Sequence, residues 1–213
     1  MNDRLEKIFS IIPASDTFAD VGCDHGYISY AMLKTDKCEK VYFSDVSEKC
    51  LEKAKALLKE YEEQGRATGI LSDGLKKIPP CDTVLIAGMG GEEIIKILSS
   101  SEWKPDKLVL QPMKNCDRVR LYLVENGYKV DYDSMFFSKD KYYDLIVASV
   151  GKDGLSKDEL DFGRGNINGN PIFSDYAKYR IEVLEKAITE DINEREKTRL
   201  KEYIGRLSKY VKT

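Results

Sequence analysis

Short apolar runs alternate with longer amphipathic stretches over the first 126 residues. The short runs are typical of buried strands, and the longer stretches repeat apolar side chains every three or four residues, as helices do. This alternation predicts a parallel sheet whose strands are joined by crossover helices. The predicted strands are 17–21, 40–45, 67–71, 82–87 and 107–111, and the predicted helices are 3–12, 26–34, 47–64, 91–99 and 115–126.

Two further strand-like runs follow, at 128–137 and 142–150, and only a short polar link separates them. That link is too short for a crossover, so the two strands must pair antiparallel as a hairpin. The sequence therefore predicts an α/β fold, a Rossmann-like seven-stranded sheet that is mostly parallel and is closed by an antiparallel hairpin.

The C-terminal part has a different pattern. Residues 151–170 are rich in Gly, Asn and Asp, which indicates a loop or linker that could contain one helical turn. Residues 171–213 carry apolar side chains at helical spacing on both sides of a polar centre, which favours two helices folded back as a hairpin; one long helix is the alternative. We therefore expect a Rossmann-like domain at 1–155, a linker at 156–170 and a helical hairpin at 171–213.

Composition narrows the class of protein. The chain has 213 residues and a net charge of −3, and it contains no apolar run near the ~20 residues of a membrane span. Its five cysteines form no CxxC pair and His25 is the one histidine, so we expect no metal site, no disulfide framework and a cytoplasmic location. Residues 1–173 hold 24 Lys and Arg against 29 Asp and Glu, whereas residues 174–213 hold 10 against 8. The basic excess of the tail is slight.

The strongest chemical signal follows the first predicted strand, where residues 20–26 read DVGCDHG. Glycines at a strand–helix turn let the backbone approach a ligand closely. The acid at Asp24 would repel the pyrophosphate of a dinucleotide but suits the ammonium of a methionine moiety, which favours S-adenosylmethionine over NAD. A turn that only packs the helix on the strand is the alternative.

Three more signals lie at the ends of the next strands. Asp45 is 23 residues after Gly22, a spacing typical of a ribose-binding acid, although an N-cap role would also explain it. Asp73 could accept a hydrogen bond from the adenine amine or simply form an Asp-Gly turn. The Gly-rich loop at 87–91 would face the transferred methyl group. The predicted cofactor-binding residues are Asp20, Gly22, Cys23, Asp24, Gly26, Asp45, Val46, Asp73, Gly74, Ala87 and Gly88.

Together these motifs resemble a known family. DVGCDHGYI, SDVS, SDGL, AGMGG and LQP occur in this order in bacterial tRNA (adenine-22-N1)-methyltransferases, which are class I S-adenosylmethionine-dependent enzymes. The resemblance covers roughly the first 150 residues, and the predicted helical hairpin is similar to the coiled-coil extension of the family. It implies methyl transfer to N1 of an adenine in the D-arm region of tRNA.

The implied reaction suggests candidate catalytic residues. Adenine N1 has an in-plane lone pair and can attack the methyl group directly, so the enzyme must align the reactants and stabilise a cationic product. We expect Asp24 to stabilise charge, and His25, Tyr27 and Met89 to orient or contact the base. Competing hypotheses are a methyltransferase of a small molecule or protein, a non-catalytic module that binds RNA or a partner, and, last, a nicotinamide oxidoreductase.

The net acidic chain needs local basic surface to hold the tRNA backbone. We expect a monomer or weak dimer that uses cations from the first helix, the pocket rim and the tail. The candidates are Arg4, Lys7, Lys114, Arg118, Arg120, Lys178, Arg180, Arg195, Lys197, Arg199 and Lys201.

Overall fold

The computed structural model describes residues 1–189 and 192–212. Its sheet has seven strands in the order β3-β2-β1-β4-β5-β7-β6, and all neighbours pair parallel except those of β7, which is antiparallel to β5 and β6. The predicted fold is confirmed, including the closing hairpin. The strands are β1 (Ser15–Val21), β2 (Cys38–Asp45), β3 (Ala67–Leu71), β4 (Thr83–Met89), β5 (Lys107–Pro112), β6 (Tyr128–Ser138) and β7 (Lys141–Val150).

Helices cover both faces of the sheet. The helices α1 (Asp3–Ile11), α2 (Tyr27–Lys34) and α3 (Glu48–Glu63) bury their apolar side chains in one core cluster. The opposite face is covered by α4 (Gly91–Ser99) and α5 (Cys116–Glu125), which pack in a second cluster. The strand order reverses between β1 and β4, and in open α/β sheets the crevice at such a reversal is where ligands bind.

The C-terminal part packs on the β6–β7 hairpin. Residues 156–170, expected to be a linker, contain the helices α6 (Lys157–Phe162) and α7 (Arg164–Ile167). Ser156 caps α6 in a capping box, and Phe162 is buried. The segment is therefore packed structure because its one large aromatic side chain belongs to a core.

The tail forms two helices, α8 (Phe173–Ile188) and α9 (Glu194–Leu207), followed by a 3-10 turn at Ser208–Tyr210. The helical hairpin is confirmed over the single-helix alternative, and residues 190, 191 and 213 of the predicted range lie outside the described residues. The helix α8 buries Phe173, Ala177 and Leu184, whereas Tyr179 is 55% exposed. A third core cluster joins the tail to the sheet through Met135, Phe162, Phe173, Ala177 and Leu207.

Arg120 corrects one prediction. We expected it to contact phosphate at the pocket rim, but its side chain is 1% exposed. The guanidinium donates two 2.9 Å hydrogen bonds to Asp133 and one of 2.5 Å to Asp144. It also donates to the carbonyl of Leu160 at 3.2 Å, so it ties α5, β6, β7 and α6 together. Burial alone would lower the pKa of Arg120, but the two carboxylates raise it above its usual value.

Within residues 1–189 and 192–212, no helix has both the length and the apolar character that crossing a membrane requires.

Candidate active site

A cleft of about 320 Å³ opens at the carboxyl ends of β1 to β4. Eight of the eleven predicted cofactor residues and Met89 line it, because parallel strands bring their carboxyl ends to one edge of the sheet. The eight are Gly22, Asp24, Asp45, Val46, Asp73, Gly74, Ala87 and Gly88. Asp20, Cys23 and Gly26 are not among its described lining residues.

The turn between β1 and α2 uses left-handed backbone. Gly22 has φ +74° and Gly26 has φ +72°, and Asp24 between them has φ +49°. A Cβ on Gly26 would lie 3.0 Å from the Cβ of Ala54, so the glycine also lets α2 approach α3. Gly22 and Asp24 of the turn line the cleft, whereas Gly26 allows α2 to pack against α3.

Asp20 and Cys23 lie beneath this turn. The Ser29 hydroxyl donates a 2.7 Å hydrogen bond to the Asp20 carboxylate, which joins β1 to α2. Burial raises the pKa of Asp20 from its ordinary value of 3.8 to about 6. Cys23 is 8% exposed, and burial raises the pKa of its thiol well above the usual range. Both side chains support the turn from below.

His25 and Tyr27 lie on the outer side of the turn. His25 Nδ1 is 2.8 Å from a carboxylate oxygen of Asp24, and its ring stacks on Tyr27 with centroids 5.5 Å apart. Lys53 Nζ lies 3.4 Å from His25 Nε2. The three predicted catalytic residues of the turn are thus in contact, but of these three Asp24 alone appears among the described lining residues of the cleft.

Asp45 is oriented by two main-chain amides. Its Oδ2 accepts from Asp24 N–H at 3.2 Å, and its Oδ1 accepts from Ser47 N–H at 2.8 Å. The N-cap of α3 is Ser47, whose hydroxyl accepts from the N–H of Cys50. The N-cap alternative for Asp45 is therefore wrong, and its carboxylate lines the cleft instead.

The loop after β3 lies at the other end of the cleft. Ser72 is buried and its hydroxyl donates to the Gly74 carbonyl at 3.0 Å, which shapes the turn. Asp73 forms a 2.5 Å ion pair with Lys76, and this hydrogen bond lowers the pKa of the carboxyl. Gly74 has φ +65° and packs against Ile97 of α4. The turn thus presents an ionised carboxylate at the mouth of the cleft.

The loop after β4 forms the remaining wall. Gly88 has φ +79°. The side chain of Met89 packs against Gly22, where an added Cβ would lie only 2.2 Å from the methyl carbon of Met89. Gly91 is buried, and a Cβ there would meet the carbonyl oxygens of Asn115 at 2.5 Å and Lys114 at 2.8 Å. Gly91 thus lets the β5–α5 turn approach the β4–α4 loop, a requirement that we did not predict.

Arg4 is a cleft residue whose position sequence reasoning missed, as it also missed that of Glu93. Arg4 was expected to contact RNA phosphate, but it lines the cleft from α1 and donates a 2.6 Å hydrogen bond to the buried amide oxygen of Gln111. Among the described lining residues, Arg4 is the one cation, whereas Asp24, Asp45, Asp73 and Glu93 supply four carboxylates. Arg4 precedes every motif, so no spacing in the chain could have pointed to it.

Comparisons with known proteins agree with this geometry. A family model described as "Methyltransferase domain" matches residues 1–146. The tRNA (adenine(22)-N(1))-methyltransferase of Bacillus subtilis is 25% identical over 174 residues, which are 79% of this chain and 73% of the relative.

Two solved structures share the whole fold. M. capricolum TrmK in complex with S-adenosyl-homocysteine superposes with a TM-score of 0.89 at 27% identity, covering 99% of this chain and 97% of that chain. The B. subtilis M1A22 tRNA methyltransferase TrmK has a TM-score of 0.86 at 23% identity, covering 100% and 99%, and at that identity the likeness concerns the fold.

Proposed function

The chain belongs to the family of S-adenosylmethionine-dependent tRNA (adenine-22-N1)-methyltransferases, and from this premise we propose that it methylates N1 of adenine 22 in tRNA. S-adenosylmethionine is the cofactor and supplies an electrophilic methyl group on a sulfonium. The chain's own residues bind that cofactor, orient the base and exclude water.

The charge of the cleft is the observation that carries this proposal. Four carboxylates and one guanidinium line it, at the ends of four neighbouring strands and one flanking helix. S-adenosylmethionine has a matching set of groups: an ammonium, a sulfonium, ribose hydroxyls, an adenine amine and one carboxylate. A pyrophosphate would meet four acids there, so a nicotinamide dinucleotide does not suit the cleft.

We assign the cofactor groups to the chain as follows. Asp45, already held by two amides, accepts from the ribose hydroxyls, and Asp73 accepts from the adenine amine. Asp24 faces the ammonium, and Arg4, beside Gly88, holds the methionine carboxylate. Asp20 supports the turn that carries Asp24, and this indirect role replaces the direct contact that we expected from the sequence.

The reaction needs little from the protein besides alignment. Adenine N1 carries no proton, so its lone pair displaces the sulfonium leaving group without a general base. In the loop at 87–91, Gly88 and Gly90 are not buried and leave space for a flat base beside Met89. The product carries a positive charge, and Asp24 is the carboxylate that we assign to stabilise it. His25 lies 2.8 Å from Asp24 and would orient that carboxylate.

The experiment that tests the proposal is radiolabelled methyl transfer to unmodified bulk tRNA, followed by nucleoside mass spectrometry. We expect 1-methyladenosine as the labelled product. Asp24→Asn keeps the shape but removes the charge, so turnover should fall steeply while the melting temperature barely changes. Labelled protein or small molecules without labelled tRNA would contradict the proposal and favour the competing substrate classes.

A further inference from the structure

A second cavity, larger than the cofactor cleft, lies between the catalytic sheet and the C-terminal helices. Its volume is about 560 Å³, within the ~300–1,000 Å³ of typical small-ligand sites. The β5–α5 turn, β7, α6, α8 and α9 all contribute to its walls. None of the residues that we assign to the cofactor lines this cavity, and neither does Met89, which we place beside the target base. The proposed reaction therefore gives the cavity no function.

One loop separates the two cavities. The β5–α5 turn lines the second cavity with Met113, Lys114 and Asn115. The other side of the turn is joined to the loop after β4 by two main-chain hydrogen bonds. The N–H of Met113 donates to the Met89 carbonyl at 2.8 Å, and the N–H of Gly91 donates to the Lys114 carbonyl at 2.9 Å. A ligand in the second cavity would therefore lie one loop away from the methyl-transfer site.

Aromatic rings form part of the wall. Tyr142, Tyr176 and Tyr203 are each partly exposed and line the cavity. Tyr142 meets Tyr176 edge-on at 5.2 Å, and it continues outward to Tyr179, which is 55% exposed. Proteins stack unpaired bases on tyrosine rings, and Tyr142 and Tyr176 bring partly exposed rings to the cavity wall.

Positively charged side chains also line the cavity. Arg120 and Arg206 are paired with carboxylates, but Arg180 and Arg199 form no ion pair within residues 1–189 and 192–212. These two arginines come from α8 and α9, on the side of the cavity away from the sheet. Asp117 and Glu202, also on the wall and without an ion pair among the described residues, can accept from base amines.

We infer that this cavity binds one unpaired nucleotide of the RNA substrate, with its base against Tyr142 and Tyr176 and its phosphate at Arg180 and Arg199. The inference rests on the proposed function. A base that is methylated on N1 must leave its stacked position, and a second nucleotide held one loop away would keep the strand in the distorted conformation. The cavity combines π faces, acceptors and cations, which are the three groups that a nucleotide requires.

The decisive experiment compares two matched charge removals. Arg180→Gln with Arg199→Gln removes two unpaired cations of the cavity wall. Lys186→Gln with Lys209→Gln removes two exposed cations of the C-terminal helices that do not line the cavity. We expect the cavity pair to raise the tRNA Kd about tenfold and the control pair to raise it less than twofold, at one moderate salt concentration. Equal increases in Kd for the two pairs would overturn the inference, because non-specific electrostatic attraction to tRNA would then explain both effects.

A second readout locates the nucleotide. Wild-type protein saturated with S-adenosylhomocysteine is photo-crosslinked to a tRNA transcript that carries 4-thiouridine, and the crosslinked peptides are sequenced. We expect crosslinks at Tyr142 or Tyr176. Tyr176→Leu should raise the tRNA KM about tenfold with S-adenosylmethionine affinity unchanged, and Tyr176→Phe should restore the KM. Crosslinks confined to other surfaces would contradict the inference.

Two further outcomes separate the alternatives. If wild-type protein methylates tRNA but the cavity variants behave as the controls do, the inference fails and the proposed function survives. If wild-type protein transfers no methyl group to tRNA, the proposed function fails first. A cavity that binds free uridine monophosphate, with the tRNA Kd unchanged in the Arg180 and Arg199 variant, would be a mononucleotide site and would also overturn the RNA assignment.

Discussion

The cofactor cleft and the C-terminal region use charge in opposite ways. In the cleft, the Asp45 carboxylate is oriented by two main-chain amides and forms no ion pair within the described residues, and Asp73 pairs with Lys76, three residues away in the chain. The C-terminal region, which begins at α5, contains three arginines that each bind two carboxylates. Arg120 binds Asp133 and Asp144, Arg164 binds Asp153 and Glu159, and Arg206 binds Asp158 and Asp161. The cleft keeps its charges for a ligand, whereas the C-terminal region uses them to join elements.

This difference predicts different consequences of mutation. Removing one member of a buried ion pair leaves an uncompensated charge, which costs far more than the pair itself contributes. Removing a ligand-facing carboxylate leaves a folded protein with a weaker site. Stability measurements and binding measurements should therefore separate the two regions.

The largest expected effect is on Arg120. Arg120→Met leaves Asp133 buried without its partner, so the free energy of unfolding should fall by about 3–5 kcal/mol in chemical denaturation. Arg118→Met on the same helix is the control, because its side chain is 60% exposed and its pair with Glu92 is a surface pair. That control should cost less than about 1 kcal/mol. If Arg120→Met lowers the free energy of unfolding by less than about 1 kcal/mol, the buried ion pairs do not stabilise the C-terminal region as we propose.

Asp20 is a buried carboxyl beneath the cleft, and the pH dependence of stability tests its environment. Its pKa is raised to about 6 in the folded protein, so the folded state holds its proton more tightly than the unfolded state does. Its contribution to stability is full below about pH 4 and is lost as the pH rises through 6. From pH 4 to pH 7, the stability of wild-type protein should fall by about 2 kcal/mol relative to Asp20→Asn.

Asp16→Asn is the matched control for this pH effect, since Asp16 is exposed on the same strand. Its stability should follow that of wild-type protein at both pH values. If Asp20→Asn and wild-type protein show the same pH dependence in urea titrations, the buried carboxyl does not have the raised pKa.

Asp45→Ala should weaken S-adenosylmethionine binding by about 1–3 kcal/mol, because the ribose hydroxyls then lack an acceptor. Isothermal calorimetry measures the affinity, and the melting temperature verifies the fold. Glu48→Ala, which removes an exposed acid from the first turn of α3, should leave the affinity unchanged. Equal affinities of both variants would exclude the ribose assignment.

The smallest expected effect is on Arg4, whose charge lies in a solvent-accessible cleft. Arg4→Gln should weaken S-adenosylmethionine binding about fivefold, or about 1 kcal/mol, if it holds the methionine carboxylate. Lys7→Gln removes an equal charge from the exposed side of the same helix and should have no effect. If the Arg4 variant binds S-adenosylmethionine normally but binds tRNA more weakly, Arg4 contacts RNA phosphate, as we expected from the sequence.

Local patterns along the chain determined the sheet, the closing hairpin and the position of the cleft. Each of these depends on neighbouring residues: apolar periodicity sets the strands and helices, and the short link after Ser138 forces an antiparallel pair. The motifs with Gly22, Asp45, Asp73 and Gly88 follow consecutive strands, so the parallel order brings them to one edge.

Tertiary structure alone decided which charged side chains are buried and which remain accessible. Arg120 and Arg118 are equivalent surface candidates in the sequence, yet one is 1% exposed and the other 60%. Arg4 enters the cleft because α1 packs beside Gln111, 107 residues away in the chain. Ion pairs and cavities between distant elements have no periodicity, because they arise only when helices and strands have already packed; the second cavity and its arginines therefore became visible only in the folded molecule.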